Sequence, residues 1–215
     1  MQDLPRKQMT IRLQEALFQY VKIGLKWICG EISFNDVVKN MGAPEFHDDQ
    51  LGKIEYAWFP EKMMSVSFVF NAPDSVSAKP YVSEFNIEIE DDVITNIPYG
   101  RFDELGVRHI IRGERIDGGR IEQSDFVGFP YFFDLSGSTP NNTVVFGYRM
   151  PLESDSPYDV EANVRYLAEL ISEKGPWNVS NVRKAVDLRE VEIVRHYLTP
   201  EELNERKEAN RRTKP

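Results

Sequence analysis

The chain has 215 residues, of which 41% are apolar and 12% aromatic, enough to fill a sizeable hydrophobic core. A formal charge of −9 and a pI near 5.0 argue against nucleic acid as the main partner, because phosphate binding needs a basic field; they favour a cationic partner instead. The single cysteine, Cys29, excludes an internal disulfide, and its apolar setting reads as a buried structural thiol in a reducing compartment.

Residues 1–9 (MQDLPRKQM) are polar and without period, and read as a frayed lead-in. Thr10 then caps a helix whose Leu13, Leu17, Tyr20, Gly24 and Trp27 recur at three-and-four spacing up to Gly30. Lys22 and Lys26 interrupt its apolar run, so it is neither a membrane span nor a signal segment. The residues Lys26-Trp27-Ile28 before Cys29 do not supply a lipoprotein cleavage site, and the expected location is cytoplasmic.

Ser33 or Asn35 caps a second helix, with Phe34, Val37, Val38 and Met41 on one face and Gly42 and Pro44 as its stop. An acidic loop containing His47, Asp48 and Asp49 follows, and then a hairpin. Its strands carry Ile54, Tyr56 and Trp58, and Val66, Phe68 and Phe70, about a Pro60-Glu61-Lys62 turn. Beyond a Pro/Ser loop over 71–80, Phe85, Ile87 and Ile89 alternate with Glu84, Glu88 and Glu90, the clearest half-exposed strand in the chain. Asp91 and Asp92 turn it into 93–97.

Residues 109–121 read as a hairpin about Asp117-Gly118-Gly119, and 126–136 with 143–150 as an antiparallel pair. The aromatic cluster from Phe129 to Phe133 is read as core. Ser156-Pro157 opens a predicted helix with Val160, Val164, Leu167 and Ile171 on one face and a stop at Lys174-Gly175-Pro176. Residues 180–198 fit either a helix or a strand, and Thr199-Pro200 begins a last, solvated helix with a basic tail. The expected fold is α+β, a single domain with a mainly antiparallel sheet covered by N-terminal and C-terminal helices. Its expected divisions are a frayed 1–9, a domain over 10–198 and a terminal helix and tail over 199–215.

No residue set dictates a chemistry. His47, His109 and His196 lie far apart and belong to no metal-ligand motif, and adjacent His47-Asp48-Asp49 side chains in a loop do not converge on an ion. Leu135-Ser136-Gly137-Ser138 lacks the first glycine of a nucleophile elbow, and Gly113–Gly119 lacks the lysine-serine end of a phosphate loop. The expectation is a non-enzyme with no catalytic residue, metal or cofactor. The carboxylates Glu84, Glu88, Glu90, Asp91 and Asp92 are either a solvated face or a surface that steers a basic partner into contact.

The stretch Asp36-Val37-Val38, Met41-Gly42-x-Pro44, Tyr56-x-Trp58 and Val66-x-Phe68-x-Phe70 resembles a helix–hairpin unit of small α/β binding folds. Similar units occur in outer-membrane-assembly lipoproteins, β-lactamase-inhibitor-like proteins and immunity proteins of bacterial toxin systems. With its acidic, aromatic-rich profile the chain looks most like an intracellular immunity protein. That resemblance implies a partner, a cognate protein toxin, bound and blocked by an acidic surface; it carries over no contact residue. The competing expectations are a hydrolase or transferase with a site assembled from distant residues, and an assembly protein of a phage or secretion machine.

Overall fold

Residues 6–50, 52–71, 83–98, 101–102, 131–133, 143–150, 156–167 and 186–213 are described by the structure, a computed structural model. Helix α1 runs Ile11–Ile28, and the Thr10 hydroxyl accepts from the Leu13 amide at its start. Leu13, Leu17, Gly24 and Trp27 of the predicted stripe are buried, with Phe18, Val21 and Ile28 beside them, while Tyr20 is only partly buried against the core. Gly30 leaves the helix at φ +79°, a conformation that costs glycine little. Ser33 caps α2, Phe34–Met41, in a capping box: its hydroxyl accepts the Asp36 amide while the Asp36 carboxylate accepts the Ser33 amide. The Ser33 hydroxyl above all, then Lys39, holds the Asp36 carboxyl down at about 2.

The described residues then build an eight-stranded antiparallel sheet. In chain order its strands are β2 (Phe46–Gln50), β3 (Lys53–Trp58), β4 (Met64–Asn71), β5 (Ser83–Ile89), β7 (Tyr131–Phe133), β8 (Thr143–Met150), β9 (Tyr158–Leu167) and β10 (Asp187–Tyr197). Their order across the sheet is β2-β3-β4-β5-β10-β9-β8-β7. The hairpin β3–β4 and the pair β7–β8 were expected; β5 also pairs with β4, and β10 inserts between β5 and β9 and joins the two halves.

One face of this sheet is apolar and carries α1 and α2. Cross-strand rows run Tyr56-Phe68-Phe85-Ile193-Ala162 and Trp58-Val66-Ile87-Val191-Val164. Helix α1 crosses β5 closely enough that a Cβ on Gly24 would stand 2.3 Å from the Phe85 ring. Phe68 and Phe85 meet at 5.0 Å between ring centres, and Trp27 meets Phe68 at 5.2 Å. At the far end of α1, Arg195 of β10 donates from Nε to the Ile28 carbonyl at 2.7 Å and from Nη2 to the Trp27 carbonyl at 3.3 Å. A cation thus meets the negative end of the helix and satisfies the Ile28 carbonyl, while the Trp27 carbonyl also accepts the Gly30 amide at 3.0 Å. The same guanidinium lies over the Tyr158 ring, 4.6 Å from its centre.

Several expectations need correction. The lead-in is not frayed up to residue 9: Lys7–Gln8 form β1, which pairs in parallel with β6, Val93–Ile94, and Met9 is buried. Asp187 holds this arm to the sheet by accepting from Arg6 at 2.8 Å and Arg189 at 2.9 Å, and Thr95 receives the Leu188 amide at 2.7 Å. A short pair of strands is stable here because side chains from β10 clamp it. Residues 46–50 are an edge strand and not a loop; β3 offers them a partner, so His47 stacks on Tyr56 at 4.6 Å between ring centres.

The largest correction concerns 156–174. Residues 158–167 are a strand, with Val160, Ala162, Val164 and Tyr166 buried in alternation. Val160 and Val164 satisfy the helical and the alternating period alike, and backbone partners on both sides, β8 and β10, decide for the strand. Beyond β10, α3 (Pro200–Thr213) starts on a reciprocal cap between Thr199 and Glu202, as expected. The hairpin read at 109–121, the stop at 174–176 and the cluster at 129–133, apart from the backbone of β7, lie outside the described residues.

Candidate functional site

The alternate residues of the same strands make the second sheet face, and it is polar. One row runs Ser65-Glu88-Glu190-Arg165, the next Ser67-Asn86-Glu192-Asn163, and the third Glu55-Val69-Glu84-Val194-Glu161. Regular alternation forces this composition, because every apolar residue turned to the helices turns its neighbour outward. The middle strands β5 and β10 thereby gather Glu84, Glu88, Glu190 and Glu192 in one field. Glu88 and Glu190 are direct cross-strand partners. Like charges so placed, with Cβ atoms about 5 Å apart, oppose pairing of the strands.

Polar neighbours hold these carboxylates in place. Asn86 donates to Glu84 at 2.6 Å, Asn163 to Glu192 at 2.8 Å, and Arg165 forms an ion pair with Glu190 at 3.0 Å. The half-buried Glu190 carboxyl is nevertheless pushed above its ordinary range. Burial is the main cause, opposed by Arg165 and reinforced by Glu192, Glu88 and Glu84. At the β2 margin of the face, three strands from β5, Phe46 stands opposite Ala57 and is 43% exposed.

The sequence-predicted carboxylates are therefore divided between two places. Glu84 and Glu88 lie in the central field. Glu90 follows the end of β5, and Asp91 and Asp92 lead into β6, where Asp92 pairs with Lys7 at 2.8 Å. The Glu90 and Asp91 carbonyls accept from Arg189 at 3.1 and 3.4 Å, so this turn also fastens the arm. Glu190 and Glu192 are the members that sequence reading missed. Their alternation with Val191 and Ile193 was the available signal, but helical spacing of Val182, Val186, Val191 and Val194 competed with it.

Other chemistry finds little support among the described residues. The Cys29 thiol is pushed up to about 11, by burial first and Glu31 second, against a lowering by Arg195, so it holds its proton at neutral pH. No group of three or more His, Cys, Asp or Glu side chains among the described residues is arranged to hold a metal ion. His109 lies outside those residues, and His196 is placed by its backbone in β10, opposite Asp159. No helix among them is long and apolar enough to cross a membrane. Comparison with protein-family models, curated proteins and solved structures finds no match to the chain.

Proposed function

We propose that this chain is a non-catalytic binding protein that receives a basic partner protein on its polar sheet face, and that it serves as an immunity protein against a bacterial toxin. One observation carries the reading: Glu88 and Glu190 face each other across β5 and β10, with Glu84 and Glu192 beside them, an arrangement that works against folding. A cationic partner converts that repulsion into attraction and is steered to the face by the same field. Phe46 at the margin supplies an apolar anchor of the kind that concentrates binding energy.

The test is co-expression with the toxin encoded beside the chain's own gene. Growth should be rescued by the wild type and lost with Glu88→Lys/Glu190→Lys, whose purified form keeps the wild-type circular dichroism spectrum. Rescue undiminished in that folded variant would sink the reading of the face. Failure of the wild-type chain to bind the toxin in a pull-down would sink the toxin assignment.

A further inference from the structure

Strand β2 lies at one edge of the sheet, and among the described residues only β3 pairs with it. The amides and carbonyls along its other side form a template for a further strand. Side chains hold this edge in place. His47 stacks on Tyr56, which meets Phe34 at 4.6 Å and Phe70 at 6.0 Å between ring centres, and the Glu45 carboxylate before β2 accepts the Phe59 amide at 2.9 Å. Phe46 and Phe59, 43% and 39% exposed, leave apolar surface at the same margin. Asp48 stands directly opposite Glu55 on the polar side of the sheet, and no cation among the described residues pairs with either carboxylate, unlike Glu190 with its Arg165. Two copies of β2 paired along its full length would set Asp48 against Asp48, each backed by a Glu55, so the edge repels a second copy of itself.

We infer that β2 takes an extended, basic segment of the partner as a further antiparallel strand of the sheet. The inference rests on the reading of a basic protein partner and adds the way in which it docks. Backbone hydrogen bonds supply affinity in such pairing, and alternate side chains supply selectivity. A lysine or arginine opposite Asp48 is within reach of both carboxylates, since neighbouring strands are about 4.8 Å apart. An apolar residue opposite Phe46 falls on the same side of the sheet. Because the strands run in opposite directions, the cation precedes the apolar residue by two, and the segment reads Lys/Arg-x-apolar. It continues the polar face outward from β2, so one partner can cover both.

The experiment uses the full chain and the end-capped peptide Thr-Thr-Lys-Arg-Thr-Val-Thr as probe, with titration for affinity and hydrogen exchange read over β2. Peptide should slow exchange of the β2 amides at least about fivefold while α1 is unchanged. N-methylation of one alternate set of peptide residues should abolish binding, and of the other set leave it, because only alternate amides face the edge while the charge stays the same. Asp48→Asn/Glu55→Gln should weaken binding about tenfold, and Glu88→Gln/Glu190→Gln should change it less than twofold. A peptide that tolerates both methylations and Asp48→Asn/Glu55→Gln, yet is weakened by Glu88→Gln/Glu190→Gln, would overturn the edge and leave the polar face standing. No binding to the wild-type chain would overturn the edge as well, whatever the co-expression test says of the toxin. A wild-type dimer in sedimentation that the peptide dissociates would make a second copy the occupant and overturn the basic segment. Binding with this methylation pattern in a chain that gives no rescue from the toxin would uphold the edge and sink only the toxin assignment.

Discussion

The two faces of the sheet are built from the same strands, residue by residue in alternation, yet they solve opposite problems. On the helix face, Phe85, Ile87, Val191 and Ile193 are buried under α1, where each added contact stabilises the fold. On the other face, Glu84, Glu88, Glu190 and Glu192 crowd the same two strands and weaken their pairing. The comparison separates residues that make the fold from residues that the fold tolerates. Substitutions should therefore move stability in opposite directions on the two sides.

The sharpest break is expected at Phe85, fully buried between Gly24 and Phe68. Phe85→Ala should cost about 4 kcal/mol in denaturant unfolding, from lost transfer energy and the cavity left behind. Gly24→Ala should cost about 2 kcal/mol, because its methyl collides with the Phe85 ring and α1 must lift. A double-mutant cycle should show the two costs to be strongly non-additive, since removing the ring makes room for the methyl. Additive costs would mean that α1 does not cross β5 as closely as described.

Arg195→Ala should cost about 1.5 kcal/mol, by leaving the Ile28 carbonyl without its donor and the α1 terminus without its cation. Faster hydrogen exchange confined to the last turn of α1 and its neighbours would confirm the cause. The smallest effect carries the opposite sign. Glu190 has a raised pKa in the folded protein, so its contribution to stability is complete while it is protonated, below the ordinary glutamate range near about 4.3, and is lost as pH rises through the raised value. Glu190→Gln should then stabilise the protein at pH 7 by about 0.5 kcal/mol after discounting for solvent screening, and the gain should vanish at pH 3. A melting temperature lower than wild type at pH 7 would show that the Arg165 ion pair outweighs the crowding.

Much of this architecture is legible before folding. Thr10, Ser33 and Thr199 mark helix starts because each hydroxyl can satisfy an amide within its own turn, a bond between near neighbours in sequence. The strand with Glu84 and Glu88 outward follows from alternation that only an extended chain can satisfy. The site was half legible for the same reason. Two of its central carboxylates sit on that strand, whereas Glu190 and Glu192 come from a segment where helical and extended periods compete, and they join the others only by cross-strand pairing.

By itself, then, the sequence determined the α+β character, the caps, the hairpin of β3 and β4, and the acidity of the outward residues of β5. These depend on periods and bonds within a few residues, which the chain carries wherever it goes. Only the tertiary structure decided that 158–167 is a strand, that residues 7–8 are held by 93–94, and that β10 lies against β5 so that acid meets acid. Those outcomes depend on partners distant along the chain, and local periodicity holds no record of which backbone will supply the missing hydrogen bonds.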